Sequence, residues 1–199
     1  MPSTMMHLML AHKINPNGCG VYFMGSFAPD VIDKNRDDIY VAKIKNHLNF
    51  RGVPNREAVL SEFYSQIDKG DPFHMGCFIH LFCDISCNDE IFAMHGGREK
   101  AMQEYRIVGI WIRRNMPWVD DVFEKMRVCS DDFNNPLPDP WNKEIINYKN
   151  GLVSPGLRRS DMEADGNPAK VLTPEVLGSY SEQIAERYKL WIREHNRTA

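Results

Sequence analysis

Apolar residues recur along most of this chain with helical rather than strand spacing. Residues 4–13 carry a Met/Leu/Ala-rich run after Pro2, Ser3 and Thr4, and either Ser3 or Thr4 can cap a helix there. Asn15-Pro16-Asn17-Gly18 breaks that run. Residues 20–32 are apolar but contain Gly25 and Pro29, which predicts a short or irregular helical stretch. Val59, Leu60, Phe63, Tyr64 and Ile67 recur at intervals of three and four, predicting an amphipathic helix over 56–68 that ends at Gly70-Asp71-Pro72. From 72 to 93 the apolar residues point in nearly every direction: Phe73, Met75, Cys77, Phe78, Ile79, Leu81, Phe82, Ile85, Ile91 and Phe92. A helix apolar all round is a buried one, so this is the expected central element, stopped by Gly96-Gly97.

A further helix is expected over 98–115, with Met102, Tyr105, Ile107, Val108, Ile110, Trp111 and Ile112. Pro117 and Trp118 open a shorter one that reaches about Val128. Thr173-Pro174-Glu175 reads as a cap followed by Pro at the first helical position, and the last helix runs to about His195. Between them, residues 130–173 are rich in Pro, Asn, Asp and Gly. They predict a long ordered loop with short helical pieces, of the kind that can cover a site as a lid. No strand pattern, internal repeat or low-complexity tract competes with this reading. The expectation is one all-α domain over residues 1–199.

Composition narrows the function. The chain has 199 residues, enough for one sizeable core. Its net charge is −3, with Lys and Arg scattered, which argues against a nucleic-acid-binding face. No run approaches the roughly 18–20 apolar residues of a membrane-spanning helix. The segment MPSTMMHLMLAHK lacks both a basic leader and a small-residue cleavage site, so the expectation is a cytoplasmic protein that loses at most Met1 ahead of Pro2. The five cysteines are odd in number and include no Cys-x-x-Cys pair, a poor fit to a disulfide framework. Cys83 and Cys87 lie one helical turn apart and could reach one ligand, but read first as small core residues.

The sharpest chemical signal is His80-Leu81-Phe82-Cys83-Asp84. A spacing of four puts both polar side chains on one face of the apolar helix. A buried Asp is costly unless it is paired or binds a cation, so the pair is either a hydrogen bond inside the core or part of a metal site. Three other positions bear on that choice. His7 lies in the first apolar run, where it could equally be a satisfied core histidine. Asp30 follows Pro29, where a turn or cap residue is ordinary. His47 lies in the polar segment Lys45–Arg51, where a surface position is the default. Arg51, four residues after His47, is a candidate phosphate binder or an ordinary surface Arg. His12 and His74 read as structural or exposed, Arg113-Arg114 and Arg158-Arg159 as solvated charges. Trp118 and Trp141 read as cleft or core residues.

The segments MPSTMMHLMLAHKI, YFMGSFAPDVI, KNHLNFR and GCFIHLFCDISCNDEIF, in that order, resemble the zinc-dependent phospholipase C family, in particular its short, signal-less bacterial members. The likeness covers roughly residues 1–95 and rests on the order His, Pro-Asp, His, His-x-x-x-Asp. It implies the helical fold of phospholipase C and P1 nuclease. It also implies Asp30, His47, His80 and Asp84 around one metal, His7 on a second with Asp84 available to bridge, and Asp30 as general base. Nitrogen and carboxylate ligands suit zinc, one or two ions, with manganese or iron not excluded. The chain departs from the family's secreted members. It begins Met-Pro rather than with a ligating Trp, and Ile85–Glu90, just after Asp84, hold no His where those members hold a further zinc through a downstream His and a His-x-x-x-Glu pair. His95 and Glu99 share that spacing across Gly96-Gly97.

The resulting expectation is a metal-dependent hydrolase of a phosphate ester, acting on a small phosphorylated substrate or a phospholipid headgroup. The alternatives are a non-catalytic metal-stabilised helical protein and an HD-type phosphohydrolase. The latter requires an adjacent His-Asp dipeptide that this chain lacks.

Overall fold

A computed structural model describes residues 4–32, 35, 37–94, 98–154 and 170–197. Among them lie nine α-helices and no strand: α1 Thr4–Ile14, α2 Gly20–Gly25, α3 Ile39–Asn46, α4 Arg56–Gln66, α5 Pro72–Met94, α6 Arg98–Asn115, α7 Trp118–Val128, α8 Asn142–Leu152 and α9 Pro174–Arg197. Two 3-10 turns, Ala28–Asp30 and Phe50–Gly52, follow α2 and α3.

The apolar helix α5 is the axis. It packs against α1, α2, α4, α6 and α9, while α1 also contacts α6 and α9. Helix α1 is enclosed, with every residue from Met5 to Ala11 buried. The approach of α2 to α5 depends on two glycines. A Cβ on Gly25 would lie 2.3 Å from the Phe73 carbonyl oxygen, and one on Gly76 would lie 2.2 Å from that of Tyr22. No side chain fits there, so the backbones nearly touch, and this brings the residues after α2 against the middle of α5. Among the other sequence candidates, His12 stacks on the half-buried Trp118 with ring centroids 4.8 Å apart. Trp141 is buried in the core, and His74 is buried with its Nδ1 accepting from the Asp68 amide.

Two elements depart from the sequence pattern. Helix α3 falls where no element was expected, because its apolar residues Tyr40, Val41 and Ile44 face solvent while Ala42, Asn46 and His47 are buried. Within 130–173, residues 142–152 form a full three-turn helix, α8, rather than a short helical piece. Buried Ile145 and Lys149 hold it, and the Lys149 amine pairs with Asp131. Beyond it, Glu104 of α6 accepts hydrogen bonds from the backbone amides of Lys170, Val171 and Leu172 at 2.8–3.2 Å, fixing the approach to α9. No described helix is long and apolar enough to cross a membrane.

Candidate metal centre

Five side chains from four parts of the chain converge on one point in the interior. His7 comes from the middle of α1. Asp30 ends the 3-10 turn that follows α2, a turn for which Pro29 is preset in φ. His47 stands just past the last residue of α3, and His80 and Asp84 face inward one turn apart on α5.

The end of α3 is what turns His47 inward. The Asn49 amide donates to the Ile44 carbonyl at 2.9 Å and the Leu48 amide to the Lys45 carbonyl at 2.8 Å, the paired bonds of a Schellman cap. Leu48 sits where glycine is usual, at φ 52°, and Asn49 follows at φ 55°. A left-handed Leu costs about 1–2 kcal/mol. The turn is also clasped from outside. Asn46 donates to the Asp139 carbonyl and accepts from its amide, both at 2.9 Å.

Two histidines are oriented by backbone carbonyls near helix ends, of which that of Lys43 also accepts the His47 amide at 3.1 Å. His80 Nδ1 lies 2.8 Å from the Ser26 carbonyl at the end of α2, and His47 Nδ1 lies 2.7 Å from the Lys43 carbonyl in the last turn of α3. A carbonyl only accepts, so each Nδ1 carries a proton and the Nε2 of each ring faces the interior. Those two Nε2 atoms are 3.2 Å apart. Asp84 lies 3.5 Å from His47 Nε2 and 3.9 Å from His80 Nε2, and Asp30 lies 3.4 Å from His47 Nε2. His7 Nε2 is 3.6 Å from Asp84 and 3.8 Å from Asp30, its ring stacked on that of His80 at 3.7 Å. Both ring nitrogens of His7 and one oxygen of Asp84 are buried with no hydrogen-bond partner.

Acceptor atoms gathered this closely in a dry interior suit a shared cation. Protons supply it at His47 but not at His7 or His80. Burial pushes the His7 pKa down to about 3, against the pull of Asp30. Burial, then the neighbouring His7, holds His80 well below the usual imidazole range. Burial lifts Asp84 to about 6 despite His47 beside it. Only His47 moves the other way: burial works against its charge, but the Asp30 hydrogen bond and the Asp84 charge outweigh burial and raise its pKa. Burial likewise works against Asp30, and the His47 bond, His80 and Lys43 overcome it, keeping the carboxylate ionised. The spacing fits a metal. Zinc bonds of about 2.0–2.1 Å put the corners of a tetrahedron roughly 3.3–3.4 Å apart. The trios His7/Asp30/His80 and His47/His80/Asp84 each offer three ligand atoms close enough to share one ion. Backbone carbonyls that fix the Nδ1 tautomer are the usual outer shell of metal-ligating histidines.

All five sequence candidates for ligands therefore meet at one centre, including His47, whose default was a surface position. Arg51 lies in the turn Phe50–Gly52, with its side chain outside the described residues. His95 lies outside them as well, and Glu99 is exposed in the first turn of α6.

Two groups that the sequence did not single out border the cage. The Lys43 amine is 3.1 Å from Asp30 Oδ1. Lys43 lies one helical turn before His47, a spacing that marks it once α3 is known. Tyr148 of α8 shares a 2.7 Å hydrogen bond with Thr4, the first residue of α1, so the Thr4 hydroxyl is engaged across the fold. Burial raises the Tyr148 pKa, the Thr4 bond opposes that, and the charge of Asp30 adds to it.

Comparison with protein-family models, with curated proteins and with solved structures returns no match.

Proposed function

We propose that this protein is a metal-dependent hydrolase of phosphate esters, similar to zinc-dependent phospholipase C, with His7, Asp30, His47, His80 and Asp84 holding one or two zinc ions. The observation that carries the reading is the 3.2 Å approach of His47 Nε2 and His80 Nε2 between two carboxylates. When bound, zinc would supply Lewis-acid chemistry, polarising a phosphoryl oxygen and making water a better nucleophile near neutral pH. The chain supplies the rest. His7, His80 and Asp84 are sealed from solvent, which keeps the centre dry and its charges strong. Asp30 is the more exposed of the two carboxylates, which suits it to meet the attacking water and accept its proton as the ester bond breaks.

The depth of the cage supports a second reading, a closed metal site that only stabilises the fold. One protocol separates the two. Elemental analysis of purified protein, beside His80→Ala and Asp84→Ala, tests for bound transition metal. Wild-type protein that holds none and takes up no zinc refutes both readings. Hydrolysis of a generic phosphodiester, lost on chelation and restored by zinc, supports the hydrolase. Metal without turnover across phosphomonoesters, phosphodiesters and phospholipids supports the structural site.

A further inference from the structure

We infer that Lys43 is the anion anchor of this site, the side chain that holds a phosphoryl oxygen of the substrate at the mouth of the cage. The inference rests on the hydrolase reading above and adds to it the residue that recognises the ligand. Side-chain exposure falls in one direction across the cluster: 30% at Lys43, 16% at Asp30, 10% at His47, 4% at Asp84 and none at His7 or His80. Among the described side chains, solvent therefore reaches the cage past Lys43 and Asp30, and a ligand from solvent meets the Lys43 amine before the other four.

Charge points the same way. A divalent ion neutralises Asp30 and Asp84, and Lys43 then leaves the mouth with one positive charge; a second ion makes it three. Either count suits an anionic ester and rejects a cation. Position is controlled as well. The Lys43 carbonyl takes the His47 Nδ1 proton while its side chain reaches Asp30, so one residue ties the amine to two cage members. An ammonium on a flexible stem can turn from Asp30 to a phosphoryl oxygen about 3 Å away without moving the backbone.

The test uses the full chain loaded with zinc and cleared of free metal, with inorganic phosphate as probe, read by titration calorimetry. Lys43→Met is compared with Lys43→Arg and with Lys45→Met, which changes an exposed lysine on the same helix. The expected result is wild-type zinc content in all three. Phosphate Kd should rise about 10- to 100-fold in Lys43→Met, less in Lys43→Arg, and stay unchanged in Lys45→Met. Normal zinc and unchanged phosphate affinity in Lys43→Met overturns the inference and leaves the metal centre standing. So does zinc-loaded wild-type protein that ignores phosphate. Loss of zinc from both Lys43 variants also overturns it, since Lys43 would then serve to hold Asp30 in place. Wild-type protein that takes up no zinc removes the hydrolase reading and this inference together.

Discussion

Replacing Asp84 with Asn separates a metal ligand from an ordinary core carboxylate, because the two roles predict opposite signs without metal. In the metal-free protein Asp84 titrates at about 6 rather than its ordinary 3.8, with burial the chief cause. The folded state therefore holds this carboxylate at a penalty that is absent below pH 3.8 and complete above about pH 6. At about 1.4 kcal/mol per pH unit the penalty comes to about 3 kcal/mol at pH 7.5. Asn removes the charge, and its amide can donate to an imidazole nitrogen where the carboxylate could only accept. In chelator at pH 7.5, Asp84→Asn should melt about 6–12 °C above wild type, given roughly 2–4 °C per kcal/mol for a chain of this size. At pH 5 the gain should shrink, because wild-type Asp84 is by then largely protonated. With zinc the order should reverse, since wild type, with all five ligands, gains the more stability from metal. Thermal melts by circular dichroism at two pH values, with and without zinc, read all of this. If Asp84→Asn melts below wild type in chelator by as much as it does in zinc, the carboxylate is a hydrogen-bonded core group and the argument for a cation fails.

Two further outcomes are expected. His7 titrates near 3 when folded and near 6.5 when unfolded, so the unfolded chain takes up a proton that the folded one refuses, and His7 drains stability as pH falls from 6.5 towards 3. His7→Phe, which keeps a ring against His80, should flatten the decline in urea midpoint between pH 6.5 and 4 in chelator; parallel declines in the two proteins would show that His7 does not dominate it. Glu104→Gln weakens the charge-assisted bonds to the amides of residues 170–172 and should cost about 1–3 kcal/mol in urea denaturation with zinc content unaltered. An unchanged midpoint would mean that the Glu104 contacts contribute nothing net.

Some of this was legible in the sequence and some was not, for physical reasons. Helices α5, α6 and α7 bury broad apolar surfaces, so their periodicity marks them to within a residue or two. Helix α3 inverts the rule: Tyr40, Val41 and Ile44 face out while Asn46 and His47 face in. A pattern search for an apolar inner face passes over it. Helix α8 carries Asn142, Asn147, Asn150 and Gly151, poor helix formers, and is held in part by a buried lysine rather than an apolar stripe. Within the site, His80 and Asp84 stand out from spacing alone. His7, Asp30 and His47 stand out only as an ordered set, since their convergence is a property of the tertiary fold. The Ser26 and Lys43 carbonyls that orient two of the rings are backbone atoms, which residue identity does not mark.

The clasp between Asn46 and Asp139 sets an order of events during synthesis. All five cage residues have left the ribosome once Asp84 has emerged, yet the turn that aims His47 is clasped by a residue 55 positions later, and α1 is enclosed partly by α6 and α9. A nascent chain that stops short of Asp139 carries every ligand without the means to hold them in register. Completion of the candidate centre is therefore tied to the finished fold, and the half of the sequence without motifs decides when the half with motifs is held in place.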